Sequence, residues 1–346
     1  MLLAGILGLI AALATYYGVA RFRVWAERRQ IVDLPNERSS HTRATPRGGG
    51  LVIVAVTLVC GSLLALVQDP PRFWQPYLAY MAGALVVAAV SWLDDLRSLR
   101  NSIRFSIHLL GAGIAIAGLG YWDTLALPVL GTIPLGGWGA LITAVWIVGL
   151  TNAYNFMDGT DGIAGCQALV AGFAWALLGW QAGMTILAGI GLLIACSNLG
   201  FLIHNWPPAR IFMGDVGSAF LGYSLAVLPV MYVFFSKDSP GAPVVGLLLV
   251  WPFVFDTAFT FIRRLLRREN VFAAHRSHIY QRMSSARSGH ARVALLYSGL
   301  ALVGCVLARV WSTRVAGGDV TGIAVLPFLC LGLWAFVEIL ERRQDL

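Results

Sequence analysis

Asp94 and Asp95 stand side by side at the end of a long apolar run, and Asp158, Asp161 and Asp215 fall in two later polar segments of a chain that is otherwise mostly apolar. Carboxylates gathered at one face of a membrane chain are most simply explained by a hard divalent cation. Such a cation at a lipid–water boundary points to phosphate chemistry. Adjacent residues on a helix diverge by roughly 100°, so Asp94 and Asp95 cannot enter one small site in the same way. One can ligate metal while the other orients a lipid phosphate or holds a supporting bond. Asp215 lies in Phe212-Met213-Gly214-Asp215-Val216-Gly217-Ser218. A carboxylate there suits Mg²⁺, which takes one or two carboxylates together with waters and substrate phosphates. The bland alternative is a helix N-cap, a role that would commit the same oxygen.

The segment Asn152-Ala153-Tyr154-Asn155-Phe156-Met157-Asp158-Gly159-Thr160-Asp161-Gly162 is the most specific in the chain. Its two Asp-Gly pairs bracket a turn, Asn152 and Asn155 precede them at helical spacing, and it carries no basic residue. It lacks the ligand pattern of a calcium loop. Upstream, Arg38, His41, Arg43 and Arg47 lead into Gly48-Gly49-Gly50. Glycines at a helix start allow backbone N–H groups to approach an anion, and the arginines could add charge-assisted bonds to phosphate. Arg97, Arg100 and Arg104 follow the aspartate pair and could face a lipid phosphate or simply snorkel. In the last large polar segment, His275 and His278 are three apart with no third zinc ligand nearby, so contact with a diphosphate or a sugar hydroxyl suits them better than zinc. Asp256 lies inside an apolar run, where an ionisable residue is a functional candidate by default.

These residues need elements to hold them, and composition says which. The chain has 346 residues, 58% hydrophobic and 12% charged, with a mean hydropathy of +0.73, a balance that excludes a soluble domain. A spanning helix needs about 20 apolar residues. Eleven runs of that kind lie near 2–20, 49–67, 75–93, 104–121, 134–152, 164–181, 184–203, 215–235, 243–262, 291–310 and 321–340. The expectation is an all-α polytopic membrane protein forming one domain over 1–346. The first run has no basic residue before it and Arg21, Arg23, Arg28 and Arg29 after it, the reverse of a signal peptide, so it is read as an uncleaved span. The five cysteines fall inside spans without paired spacing and read as apolar packing residues.

The net charge of +8 could suggest a nucleic-acid partner, but the distribution of the 24 arginines argues against one. The segments 21–48, 94–103, 153–163, 204–214 and 263–290, with the tail 341–346, Arg104 and Arg292, hold 21 of the 25 basic residues. This positive-inside pattern makes them cytoplasmic, with the N-terminus periplasmic and the C-terminus cytoplasmic. Glu27, Asp33, Glu37, Asp94, Asp95, Asp158, Asp161, Asp215 and Glu269 fall on that same side, which the rule does not require, so a shared metal or substrate site is expected on that face. A transporter would instead place ionisable residues near the midplane and show an internal repeat, and a structural scaffold leaves the Asn/Asp/Gly segment unexplained.

Taken in order, the segments resemble the polyprenyl-phosphate N-acetylhexosamine-1-phosphate transferases. The resemblance rests on Arg38-Ser39-Ser40-His41 through Pro46-Arg47-Gly48-Gly49, Asp94-Asp95, the Asn155/Asp158/Asp161 loop, Phe212 to Ser218, and His275 with His278, and it covers nearly the whole chain. It implies a bacterial inner-membrane enzyme with its site facing the cytoplasm. Such an enzyme transfers an N-acetylaminosugar 1-phosphate from a UDP-sugar to undecaprenyl phosphate, releasing UMP, with Mg²⁺ or, in its place, Mn²⁺. It gives Asp215 the metal, with Asn155 and Asp94 as further oxygen donors. Asp94 or Asp95 would activate or position the lipid phosphate. Asn155, Asp158 and Asp161 would contact the nucleotide, with Arg38, His41 and Arg104 as further substrate contacts, and His275 and His278 would contact diphosphate or sugar. The resemblance also allows a homodimer. The spacing His-Arg-Ser-His departs from the adjacent histidines of many members and resembles the O-antigen-initiating branch acting on UDP-N-acetyl deoxy-aminosugars. UDP-GlcNAc for another envelope polymer is the alternative.

Overall fold

In a bilayer the backbone has no water to bond, so each crossing satisfies its own N–H and C=O groups as a helix. The computed structural model describes residues 2–34, 44–67, 74–127, 130–236, 239–270, 275–284, 289–314 and 321–342. Its helices are α1 (Leu2–Arg28), α2 (Gly50–Val67), α3 (Trp74–Arg97), α4 (Asn101–Leu119), α5 (Trp138–Met157), α6 (Ile163–Gln181), α7 (Thr185–Asn205), α8 (Asp215–Phe235), α9 (Ala242–Leu266), α10 (Ile279–Met283), α11 (Gly289–Arg314) and α12 (Thr321–Arg342). Among the described residues ten helices are long and apolar enough to cross a membrane. The 22-residue α12 lies where the eleventh span was expected, with its apolar stretch at Val325–Ile339.

Several helices outrun their apolar runs, among them α1, which continues to Arg28, α3 to Arg97, α5 to Met157 and α9 to Leu266. Hydropathy marks where lipid contact ends, whereas hydrogen bonding carries the helix on. Asp94, Asp95 and Asn155 therefore sit in last helical turns, not in loops. Between α4 and α5, β3 (Thr124–Leu127) pairs antiparallel with β4 (Gly131–Pro134). Pairing satisfies backbone groups that would otherwise be left at the membrane edge. A second short pair joins β1 (Val32–Asp33) to β2 (Thr45–Pro46).

Helix α8 is the axis of the bundle. It packs against α3, α5, α9 and α2 and is buried on all sides from Val216 to Met231, as expected of a helix apolar all round. Small residues let its neighbours close in: a Cβ on Gly222 would lie 2.8 Å from Thr151 Cα, and one on Gly172 of α6 would lie 2.7 Å from the Gly191 carbonyl of α7. Some buried hydroxyls pair across helices, as where Tyr80 Oη meets Ser224 Oγ at 3.0 Å. The five cysteines are free.

The two ends of the bundle differ. At one end the β3–β4 hairpin binds the approach to α9, Ala126 N–H donating to the Pro240 carbonyl at 2.8 Å. At the other end the α1–α2, α3–α4, α5–α6, α7–α8 and α9–α11 connections cross-link one another, and all the described candidate residues lie there.

Candidate active site

The site is built on the N-terminus of α8. Gly214 precedes it with φ +77° and no side-chain cap. The capping carboxylate comes from another helix: Asp215 N–H donates to Asp95 Oδ1 and Val216 N–H to Asp95 Oδ2, each at 3.0 Å. A Cβ at position 214 would stand 2.8 Å from Asp95 Oδ2, so glycine is needed for both its backbone angle and the close approach. Asp215 is thus not the N-cap, and its own carboxylate stays available, the side chain one-third exposed at 34%.

The glycine triplet serves the same junction. Phe212 N–H donates to the Pro46 carbonyl at 2.8 Å, Gly49 N–H to the Phe212 carbonyl at 3.0 Å, and Gly50 N–H to the Met213 carbonyl at 2.8 Å. A Cβ on Gly50 would fall 2.2 Å from Gly217 Cα. These amides are committed to carbonyls, so the anion cradle expected of Gly49 and Gly50 is corrected to a close backbone crossing of α2 over α8. Arg47 Nη2 donates to the Asp95 carbonyl, holding the end of α3 onto the same junction.

Arg104, in the first turn of α4, draws the remaining groups together. Its guanidinium lies 2.9 Å from Asp94 Oδ2 and 3.3 Å from Asp215 Oδ2, and it donates to Asn155 Oδ1 at 2.9 Å. Asn155 Nδ2 in turn donates to Ser218 Oγ at 3.0 Å. Asp94 and Asp95 therefore diverge as helix geometry requires, one to the arginine and one to the amides of α8. Asp94, Asp215 and Asn155, far apart in sequence, turn oxygens onto one cationic group. Among the described residues no three His, Cys, Asp or Glu side chains form a ready cage for a metal. Two carboxylates and an amide carbonyl nevertheless suit a hard cation that brings its own waters.

Asp158 ends α5, its N–H donating to the Asn155 carbonyl at 3.3 Å. Burial holds its carboxyl well above the usual range, and the charges of Asp215, Asp95 and Asp161 push it the same way. Asp161 is tied elsewhere, accepting from Ala209 N–H at 3.0 Å and pairing with His290 Nδ1 at 3.2 Å. It joins the α5–α6 and α7–α8 connections. Asn205 does the same, accepting from Gly162 N–H and donating to the Ile211 carbonyl, each at 2.9 Å. Asn205 and His290 escaped the sequence reading, although a polar Asn at the end of an apolar run was the available signal.

The histidine segment docks on the same turn. Tyr280 Oη donates to the Phe156 carbonyl at 2.8 Å, and Thr160 Oγ1 meets Ser284 Oγ at 3.2 Å. His278 is buried, its Nδ1 3.2 Å from Asp256 Oδ1, and its ring lies 5.0 Å from that of His275. His275 is more open, with Nδ1 2.9 Å from Ser277 Oγ. Burial lowers its pKa to about 4, aided by His278 and Arg264, so it is a neutral hydrogen-bonding group at neutral pH. Arg38 and His41 lie outside the described residues.

A many-spanning helical bundle with an oxygen-rich, arginine-bridged cluster at one end has the makings of a membrane enzyme acting on phosphates. Residues 77–233, which include the cluster, match the model of glycosyl transferase family 4. The chain is 34% identical over 75% of its length, and 71% of the other chain, to a probable undecaprenyl-phosphate N-acetylglucosaminyl 1-phosphate transferase of Bacillus subtilis. It is 30% identical over 78% of its length, and 80% of the other, to the undecaprenyl-phosphate alpha-N-acetylglucosaminyl 1-phosphate transferase of Thermotoga maritima. Over 98% of its length and 91% of the other, it is 28% identical to a decaprenyl-phosphate N-acetylglucosaminephosphotransferase of Mycobacterium leprae. The chain belongs to the polyprenyl-phosphate N-acetylhexosamine-1-phosphate transferase family.

Proposed function

We propose that this protein transfers N-acetylglucosamine 1-phosphate from UDP-GlcNAc to undecaprenyl phosphate, at the cytoplasmic face of a bacterial inner membrane. The names of the relatives favour GlcNAc over the deoxy-aminosugars suggested by the His-Arg-Ser-His spacing. The product then primes a cell-surface polysaccharide, O-antigen among them. The distribution of arginines supports the cytoplasmic side.

A phosphate oxygen of the lipid attacks the β-phosphorus of the nucleotide sugar. The bond from that phosphorus to the bridging oxygen breaks, and UMP leaves with the electron pair. One phosphoanhydride replaces another, so the barrier is mainly that of bringing two polyanions together in line. Asp215, Asn155 and Asp94 would hold Mg²⁺, which supplies charge neutralisation and orientation for the diphosphate. Arg104 adds a second positive charge beside the same oxygens. Asp95 keeps the α8 N-terminus aimed at the reacting phosphates. A phosphate monoester is largely a dianion near neutral pH, so no strong base is needed.

The observation that carries this reading is the convergence of Asp94, Asp215 and Asn155 on Arg104. It is tested by UMP release from purified protein with undecaprenyl phosphate, Mg²⁺ and a panel of UDP-N-acetyl sugars that includes deoxy-aminosugars. Release with UDP-GlcNAc that needs lipid and Mg²⁺ and disappears in Asp215→Asn is expected. Release only with a deoxy-aminosugar moves the assignment to that branch, and release without lipid refutes the acceptor.

A further inference from the structure

Asp256 is a fully buried carboxylate inside α9, and all of its oxygen capacity is used. Oδ1 accepts from Ile279 N–H at 2.8 Å and Thr260 Oγ1 at 3.2 Å, and lies 3.2 Å from His278 Nδ1. Oδ2 accepts from Tyr280 N–H at 3.0 Å and Tyr297 Oη at 2.6 Å. With four other donors aimed at these two oxygens, Asp256 is an acceptor-only carboxylate and His278 Nδ1 carries the proton. A buried charge is tolerated when it is satisfied in this way.

His278 is closed in on its other sides. It is 4% exposed, and its ring packs against Phe156 at 6.3 Å, Tyr280 at 5.8 Å and His275 at 5.0 Å. Its backbone N–H donates to Gln281 Oε1 at 3.3 Å. This is the setting of a group that holds other groups. The next link leads to the site. Tyr280, placed by Asp256 through its own N–H, donates its hydroxyl to the Phe156 carbonyl at 2.8 Å. Phe156 follows Asn155 and precedes Asp158 by two residues. A Cβ on Gly159 would come within 2.2 Å of the same hydroxyl, so the turn and the tyrosine are fitted to each other.

We propose that Asp256, His278 and Tyr280 form a buried brace that positions the Asn155–Asp158 turn, with Asp256 as its anchor and His278 a positioning residue in place of a substrate contact. The brace works by fixing the last turn of α5, which carries Asn155 to Arg104 and Ser218. Outer supports of this kind typically cost about 10–100-fold in activity when removed.

Two measurements test the brace. In hydrogen–deuterium exchange of the purified full-length protein, Tyr280→Phe removes only the hydroxyl and is expected to speed exchange at residues 155–159 while leaving the α8 N-terminus protected. Unchanged exchange at 155–159 overturns the proposal. Steady-state kinetics then rest on the UDP-sugar reaction proposed above. Asp256→Asn and Tyr280→Phe are expected to raise KM for the nucleotide sugar and leave KM for the lipid within about twofold. The double variant should be no worse than Asp256→Asn alone, because both act through one link. Additive losses, or equal changes in both KM values, mark a general loss of structure and refute the brace. If Asp256→Asn does not fold, Tyr280→Phe and His278→Asn form the same cycle. If the wild type turns over no UDP-sugar, the functional reading fails while the exchange measurement still decides the brace.

Discussion

Two buried aspartates, Asp95 and Asp256, cap helix N-termini from outside the helix they cap. Asp95 receives the first two amides of α8, and Asp256 receives the first two of α10. Each does so with both carboxylate oxygens, satisfying donors that a helix start would otherwise leave unpaired. They differ in what the cap releases. Because Asp95 does the capping, Asp215 keeps its side chain for cations, and the cluster stays partly open. Because Asp256 does the capping, His278 and Tyr280 are locked among rings, and the region is closed. The same electrostatic device produces an adjustable, charge-bearing surface in one place and a rigid support in the other.

Substitution can separate the two. The largest effect is expected for Asp215→Asn, a loss of about a thousandfold in UMP release, the scale of removing one charge-stabilising group from a reacting centre. Its melting temperature should stay level or rise, because Asp215 holds no fold-forming side-chain cap and its charge crowds Asp158. A thermal scan beside the rate measurement checks both, and a large drop in melting temperature would show Asp215 to be structural after all.

Asp95→Asn should differ in kind. It faces the α8 amides with an NH₂ group in place of an oxygen. The expected cost is about 2 kcal/mol of stability for an unsatisfied buried donor, with a rate loss of about a hundredfold as Asp215 shifts. Denaturation and activity should fall together here, whereas in Asp215→Asn only activity falls. Equal behaviour of the two variants would erase the distinction between cap and ligand.

Glycines sharpen the comparison further. On the Asp95 side, alanine at Gly50 meets the Gly217 backbone at 2.2 Å, which cannot yield without separating α2 from α8. On the Asp256 side, alanine at Gly159 meets the Tyr280 hydroxyl at 2.2 Å, a side-chain tip that gives way by losing its bond to the Phe156 carbonyl and not by parting two helices. Gly50→Ala should therefore cost about 1–3 kcal/mol of stability, the usual penalty of overpacking, and Gly159→Ala less, with its loss appearing in the nucleotide-sugar KM. Folded yield and melting temperature distinguish the two.

The Asp95 side was the more legible in sequence. The aspartate pair, the glycines around Asp215 and the Asn/Asp/Gly run are all unusual in an apolar chain, so composition alone draws the eye to them. Their division of labour was only half legible. Divergence of Asp94 and Asp95 follows from helix geometry, but that Asp95 would cap α8 and free Asp215 depends on α3 and α8 meeting, a contact between residues 120 apart in sequence. Arg104 stood out by its charge, yet its convergence on three acceptors needs α3, α5 and α8 together. Asp256 was visible as an ionisable residue in a span, while its partners Tyr280 and Tyr297 carry no local signal, since buried tyrosines in a bundle are ordinary packing residues. Ten of the eleven expected spans were legible because bilayer thickness fixes helix length, and the helix ends were not, because hydrogen bonding outlasts hydropathy.

The smallest effect belongs to the histidine that the brace leaves open. His275 is held near a pKa of about 4, below the ordinary 6.5, by burial and by its positive neighbours. Between those values the unfolded chain binds more protons than the folded one, so this group makes stability rise with pH across that window and fall as the solution is acidified. Glu269 also loses a native interaction in acid, because its bond to Arg264 holds its pKa below the ordinary 4.5. That loss begins only below about pH 4.5. Between pH 6.5 and 5 the raised carboxyls of Asp95 and Asp158 also contribute, with the opposite sign, so the share of His275 is read as the difference between the wild type and a variant that lacks it. The melting temperature of the wild type measured relative to His275→Gln should decline gently from pH 6.5 to 5 and stay constant above pH 7. Tyr280→Phe should lower the whole curve and keep its slope, since it removes only a hydroxyl and leaves Arg263, Arg264 and His278 around His275. A slope that vanished in Tyr280→Phe as well would mean that the open histidine and the closed brace titrate as one unit, and the separation of the two regions would end there.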